Sequence, residues 1–155
     1  SPFRIKAYIW GSILNRPRMT QTPADLPPDL TGLRVLVADD NALNLLIARK
    51  FLTRRGATVE TAEDGTTAVE KVRAEFERRE PFHLVLLDIQ MPNLDGFGAS
   101  RVIRGFDPAV AILAMSADEL PTESVASSGM NGFILKPFDP DALVERIQGV
   151  VPGFS

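Results

Sequence analysis

Leu33-Arg34-Val35-Leu36-Val37-Ala38-Asp39-Asp40 is an apolar run, broken only by Arg34, that ends in two adjacent acids. A run of this length without polar alternation predicts a strand buried on both faces, and such strands belong to parallel sheets covered by helices. A second run, His83-Leu84-Val85-Leu86-Leu87, ends in Asp88 in the same way. Between them, Asn41–Arg55 carries apolar residues at 43, 46, 47 and 51 and stops at Gly56, which predicts a helix packed through that face. Ala57–Thr61 predicts a short strand, and Gly65–Arg79 a helix with Ala68, Val69, Val72 and Phe76 on one side. Downstream, the pattern predicts a helix over Leu94–Arg104, a strand over Val110–Met115, a weaker helix over Asp118–Ser128 opened by Asp118, and a strand over Gly132–Leu135. Asp139 as cap and Pro140 at the first helical position start a last helix that runs to Val150. Strands alternating with helices in this way give an α/β domain with a parallel sheet and right-handed crossovers. Ligands of such sheets bind outside the carboxyl ends of the strands.

The rest of the composition narrows the chemistry. The chain has 155 residues, enough for one ordinary domain, and 45% of them are hydrophobic. With no cysteine, disulfides, thiol catalysis and thiolate metal sites are excluded, and a single histidine excludes sites built from several imidazoles. A formal net charge of −3 argues against a nucleic-acid binder, and no apolar run is long enough to span a bilayer. The expectation is a soluble, cytoplasmic domain without membrane contact; 13 Arg against 4 Lys suggests a GC-rich bacterial genome. Residues 1–31 stand apart: an alternating stretch over 1–12 is followed by Pro17, Pro23, Pro27 and Pro28 among polar residues. They read as a connector, in part of vector origin if Gly11-Ser12 is a cloning scar, with a strand docking on a partner as the other reading. Residues 32–151 form the domain.

The positions just after each predicted strand hold Asp39 and Asp40, then Asp88, Ser116 and Lys136. A lone acid at a strand end is usually a helix cap. Three acids at the ends of different strands repel one another when crowded in a cleft, and a divalent cation among them relieves that repulsion. An all-oxygen ligand set favours Mg²⁺, or Mn²⁺, over a softer metal. Lys136 supplies a point charge suited to a phosphate oxygen, and Ser116 a hydroxyl donor. Asp88, facing both the metal and the ammonium, is then a candidate nucleophile toward phosphorus.

At this point the sequence resembles a known family, the response regulator receiver domain. The matching stretches are Val35–Asn41 (VLVADDN), Leu86–Gly96 (LLDIQMPNLDG), Ala114–Ala117 (AMSA) and Lys136–Phe138 (KPF), in the family's order and spacing over about residues 33–150. The resemblance implies a (βα)₅ doubly wound, flavodoxin-like parallel sheet in the order 2-1-3-4-5, with Asp88 accepting a phosphoryl group from a phosphohistidine. It implies Asp39 and Asp40 as the acid pair that organises Mg²⁺, Asp40 being the direct ligand, with Asp88 and the Gln90 main-chain carbonyl as further ligands. Ser116 and Phe133 resemble the switch pair, Lys136 the phosphate-binding lysine, and Lys136-Pro137 the family's cis peptide. By the same resemblance, Gln90 and Asp118 stand at positions that in the family flank the path of the hydrolytic water. His83, where the family often has Asp, reads as a strand-start residue without a phosphoryl role.

Asp40-Asn41-Ala42-Leu43-Asn44 resembles receivers fused to hybrid sensor histidine kinases or working in phosphorelays, and the Pro-rich connector fits a C-terminal receiver there. A stand-alone receiver is the nearest alternative. Partners implied are a histidine kinase or a histidine phosphotransfer domain, with a homodimer left open. Such a domain catalyses its own phosphorylation and dephosphorylation rather than turning over a substrate. Two readings of other classes compete: a receiver-like module that signals by contact without phosphorylation, and a Mg²⁺-dependent phosphatase with an Asp nucleophile. The second typically needs an acid two residues after the nucleophile, where this chain has Gln90.

Overall fold

The computed structural model describes residues 29–154; the alternating stretch over 1–12 and the Pro-rich segment to residue 28 lie outside them. Five strands, β1 (Arg34–Ala38), β2 (Thr58–Ala62), β3 (Leu84–Asp88), β4 (Ala111–Ser116) and β5 (Gly132–Leu135), form one parallel sheet in the order β2-β1-β3-β4-β5. The helices that alternate with them are α1 (Ala42–Arg54), α2 (Gly65–Glu77), α3 (Gly96–Phe106), α4 (Thr122–Ser127) and α5 (Pro140–Val150). The (βα)₅ doubly wound fold and its strand order agree with the sequence reading.

The pleat sorts the apolar runs between two layers. Val35, Val37, Leu84, Leu86 and Leu113 face α1 and α5, while Leu36, Ala38, Val85, Leu87 and Ile112 face α2, α3 and α4. Every residue of β3 and β4 is buried, which is why their sequences do not alternate. Leu30, just before β1, is fully buried, and its N–H donates to the Arg55 carbonyl, so residues 29–33 close the end of the sheet opposite the site.

Four of the helices start where a side chain satisfies free N–H groups. Asn41 accepts from Leu43 and Asn44, Asp64 from Thr67, Asp95 from Gly98 and Asp139 from Ala142. Four expectations are corrected by this geometry. The helix expected from Leu94 begins at Gly96, because Asp95 is its cap and the Leu94 N–H turns back to the Pro92 carbonyl. The helix expected from Asp118 begins at Thr122 after Pro121, since the Asp118 main chain is engaged by Ser116 instead. The face predicted for α1 is the wrong one. Leu45, Ala48 and Leu52 are buried, whereas Leu43, Leu46 and Ile47 are 62%, 49% and 58% exposed. That helix is apolar on nearly all sides of its first two turns, so periodicity alone could not choose which side meets the sheet. Phe76, expected on the buried side of α2, lies at the edge and packs on Phe106 of α3.

Candidate functional site

The chain leaves β1 for β2 on one side and returns for β3 on the other. The adjacent ends of β1 and β3 therefore form the switch point where parallel sheets bind ligands. Asp39 and Asp40 follow β1 and Asp88 ends β3, so one crevice receives all three acids. Each offers a carboxylate oxygen within 4.8 Å of the others; Asp39 and Asp88 are buried and Asp40 is exposed. Lys136, immediately after β5, reaches across β4 to place Nζ 3.2 Å from Asp39 Oδ2 and 3.2 Å from Asp88 Oδ2. Lys136 N–H donates to the Ser116 carbonyl, and its bond to Pro137 is cis, as the resemblance implied.

Each acid has a different role in the cluster. Asp39 is held by three protein donors among the described residues: Oδ1 accepts from the Asn41 N–H at 2.9 Å, and Oδ2 from Asn44 Nδ2 at 3.1 Å and from Lys136. Among the described residues, Asp88 Oδ1 accepts only a long bond from the Gln90 N–H, 3.3 Å, and Oδ2 faces Lys136. Asp40 opens onto a cleft of about 580 Å³ shared with Gln90, Met91, Pro92, Asp95 and Phe97. The donor set fits a hard divalent cation: Asp40 opens onto the cleft, Asp88 offers an oxygen within 4.8 Å of one on Asp40, Gln90 borders the cleft, and Asp39 orders the group from behind. Burial raises the Asp88 carboxyl above the ordinary carboxylate range, the Asp39 charge adds to the rise, and Lys136 opposes it. Burial alone would lower the Lys136 ammonium, but the charges of Asp39 and Asp88 overcome it and hold its pKa above the ordinary lysine value.

The loop between β3 and α3 is fixed against α2. Asn93 adopts a left-handed backbone, φ 71°, and its Nδ2 donates to Asp64 Oδ2 at 2.8 Å. The Leu94 carbonyl lies where a Cβ on Gly65 would stand, so only glycine lets the loop approach. The Gly96 N–H then donates to the Ile89 carbonyl and closes the turn that carries Gln90.

The structure thus brings Asp39, Asp40, Asp88 and Lys136 together and sets Gln90 beside them. Ser116, at the end of β4, is buried near the cluster, yet its hydroxyl bonds to its own loop: Oγ donates to the Asp118 carbonyl at 2.6 Å and accepts from the Asp118 N–H at 3.1 Å. Phe133, in β5, is half-buried and packs on the core layer of α2 and α3. His83 accepts the Arg34 N–H on Nδ1 at 2.9 Å and packs on Phe154, away from the site; burial and the Arg34 charge lower its pKa. Sequence reasoning quoted Asn44 without giving it a role and passed over the Asp64–Asn93 tie. The signal for Asn44 was its place in the first helical turn after the acid pair, where a side chain can fold back over the strand end.

Comparison with known proteins agrees with this geometry. The model of the response regulator receiver domain matches residues 35–148. Transcription factor SKN7 of Saccharomyces cerevisiae is 37% identical over 117 residues, 72% of this chain, which spans only 18% of that protein's length. Two-component response regulator ORR41 of Oryza sativa subsp. japonica is 38% identical over 115 residues, covering 72% of this chain and 88% of the relative. Among solved structures, the receiver domain of sensor histidine kinase PA1611 from Pseudomonas aeruginosa, with a magnesium ion in its active-site cleft, has a TM-score of 0.67 at 30% identity over 77% of this chain and 98% of that one. These relatives come from yeast, rice and a bacterium, so similarity does not single out a bacterial origin. By its fold, its strand-end acids and these matches, the chain belongs to the response regulator receiver domain family of two-component and phosphorelay signalling.

Proposed function

We propose that this domain is a working phosphoacceptor in which Asp88 takes a phosphoryl group from a phosphohistidine. The observation that carries this reading is the Asp88 carboxylate itself. It stands between a lysine and an acid pair at the sheet's switch point, with fewer protein donors than Asp39. An Asp88 oxygen forms the bond to phosphorus as the bond from phosphorus to the donor imidazole nitrogen breaks, in line. Lys136 meets the charge on the phosphoryl oxygens, and Asp39 holds Lys136 in reach. Asp40, Asp88 and the Gln90 main-chain carbonyl are the groups that would hold Mg²⁺, which offsets the negative charge of acids and phosphoryl group when bound. Ser116 and Phe133 form the responding pair. For the hydroxyl to reach the phosphoryl group it must leave the Asp118 main chain, and the Phe133 ring would turn inward behind it. Moving such a balance from 1:99 to 99:1 takes about 5.5 kcal/mol of differential stabilisation.

The donor is a histidine kinase or a histidine phosphotransfer domain. Leu43, Leu46 and Ile47 form an unburied apolar face on α1 beside the site, and Ile47, Phe138, Asn44 and Lys136 line a groove of about 510 Å³ that runs up to Asp39. A partner presenting an apolar helix face would set its phosphohistidine over Asp88. Together with the Pro-rich segment before the domain, this supports a cytoplasmic receiver attached to a hybrid sensor kinase. Incubation with Mg²⁺ and acetyl phosphate, followed by intact mass, tests the reading. The wild type gains one phosphoryl group only with the metal present, and Asp88→Asn gains none. No gain in the wild type would favour a module that acts without phosphorylation.

A further inference from the structure

We propose that Asn44 is a positioning residue for phosphoryl transfer, its side-chain amide holding the Asp39 carboxylate so that Lys136 remains shared between Asp39 and Asp88; the role in transfer rests on the receiver reading above. Asp39 is 1% exposed and has three donors. Two of them, Asn44 Nδ2 and Lys136 Nζ, meet on the same oxygen, Oδ2, at 3.1 and 3.2 Å. The ammonium is equally far from Asp88 Oδ2, so its position is a balance between two carboxylates. Asn44 contributes a neutral donor to one side of that balance. Without the amide, Oδ2 keeps Lys136 as its one side-chain donor. The carboxylate then turns toward the ammonium and draws it from Asp88, so the acid cluster that Asp39 orders from behind no longer holds Asp88 in place for the cation. Asn44 itself is anchored by the cap, since its N–H donates to Asn41 Oδ1 at 3.1 Å, so the amide is carried on the first turn of α1 rather than on a free loop.

The helical role of Asn44 can be separated from this one. An acid in the first turn favours the helix dipole, so Asn44→Asp keeps size and suits α1 while replacing the donor by an acceptor. Two measurements decide the proposal. With saturating Mg²⁺ and acetyl phosphate, the phosphorylation rate read by intact mass falls about tenfold in both Asn44→Ala and Asn44→Asp, the scale of one hydrogen bond to a charged group. By calorimetry on the metal-free protein, Asn44→Ala weakens Mg²⁺ binding about tenfold in the wild-type background, on the same scale, and less than twofold when Asp39→Asn is already present. Asn44→Asp phosphorylating at the wild-type rate would overturn the proposal. So would Asn44→Ala weakening Mg²⁺ binding equally with and without Asp39→Asn, because Asn44 would then not act through Asp39. If the wild type takes up no phosphoryl group, the receiver reading fails, and the calorimetric cycle alone decides whether Asn44 holds Asp39.

Discussion

Lys136→Met removes the ammonium that touches both Asp39 and Asp88 while keeping most of the side-chain stem. Two contacts at 3.2 Å are lost. At an effective dielectric of about 20, each is worth roughly 5 kcal/mol of gross attraction. Desolvation cancels much of that, and removing one partner of a buried pair costs about 3–5 kcal/mol, chiefly because the remaining charge is left uncompensated. The Lys136 side chain is 24% exposed, so the lower end applies, about 3 kcal/mol or roughly 10 °C in the unfolding midpoint of a domain this size. The loss depends on pH. Asp88 titrates above the ordinary carboxylate range in the folded state, so its favourable contribution is present at low pH and disappears as pH rises through the raised value. Lys136, raised as well, stays charged throughout the range from pH 4 to 8. In the variant only the long bond from the Gln90 N–H still opposes the rise at Asp88, so the deficit is largest at pH 7 and shrinks toward pH 4.5. Mg²⁺ at a hundred times its Kd should return about 2.7 kcal/mol to a protein that still binds it. Thermal unfolding followed by circular dichroism, with and without Mg²⁺ at the two pH values, reads all of this. A variant as stable as the wild type at pH 7 without metal would refute the account of Lys136 as the counter-charge of the cluster.

Gly65→Ala drives a methyl group into the Leu94 carbonyl and lifts the Asn93-bearing loop from Asp64; unfolding by urea should show a loss of about 2 kcal/mol, typical of overpacking, together with weaker Mg²⁺ binding. Leu43→Arg with Ile47→Arg, on the exposed face of α1, should leave stability within about 0.5 kcal/mol and the acetyl phosphate rate unchanged, while slowing transfer from a phosphohistidine protein; equal transfer rates would move the docking face elsewhere. Ser116→Ala frees the Asp118 main chain and removes the responding hydroxyl, so the protein should still accept a phosphoryl group but show little difference between free and beryllofluoride-bound amide spectra around β5.

Much of the site was legible because buried parallel strands leave a plain trace: apolar residues that stop where the chain meets the crevice. Asp39, Asp40, Asp88, Ser116 and Lys136 could be placed at strand ends from that trace alone, and the strand order was implied by the family resemblance that the motifs around them carry. What could not be read depends on orientation. Leu43, Leu46 and Ile47 are as apolar as Leu45, and only packing on the sheet decides that Leu45, with Ala48 and Leu52, is the buried face. Asp118 has the chemistry of a helix cap, but the Ser116 hydroxyl takes its main chain first, and α4 starts later. Asn44 and Asn93 work through single side-chain bonds to Asp39 and Asp64, contacts that leave no periodicity in the sequence.

The central claim concerns one carboxylate, and chemical trapping addresses it directly. After incubation with Mg²⁺ and acetyl phosphate, borohydride reduces an acyl phosphate to the alcohol, and peptide mass spectrometry then locates the residue converted to homoserine. The account predicts conversion at Asp88 alone, dependent on Mg²⁺. Conversion at Asp39 or Asp40, or at no aspartate, would contradict it.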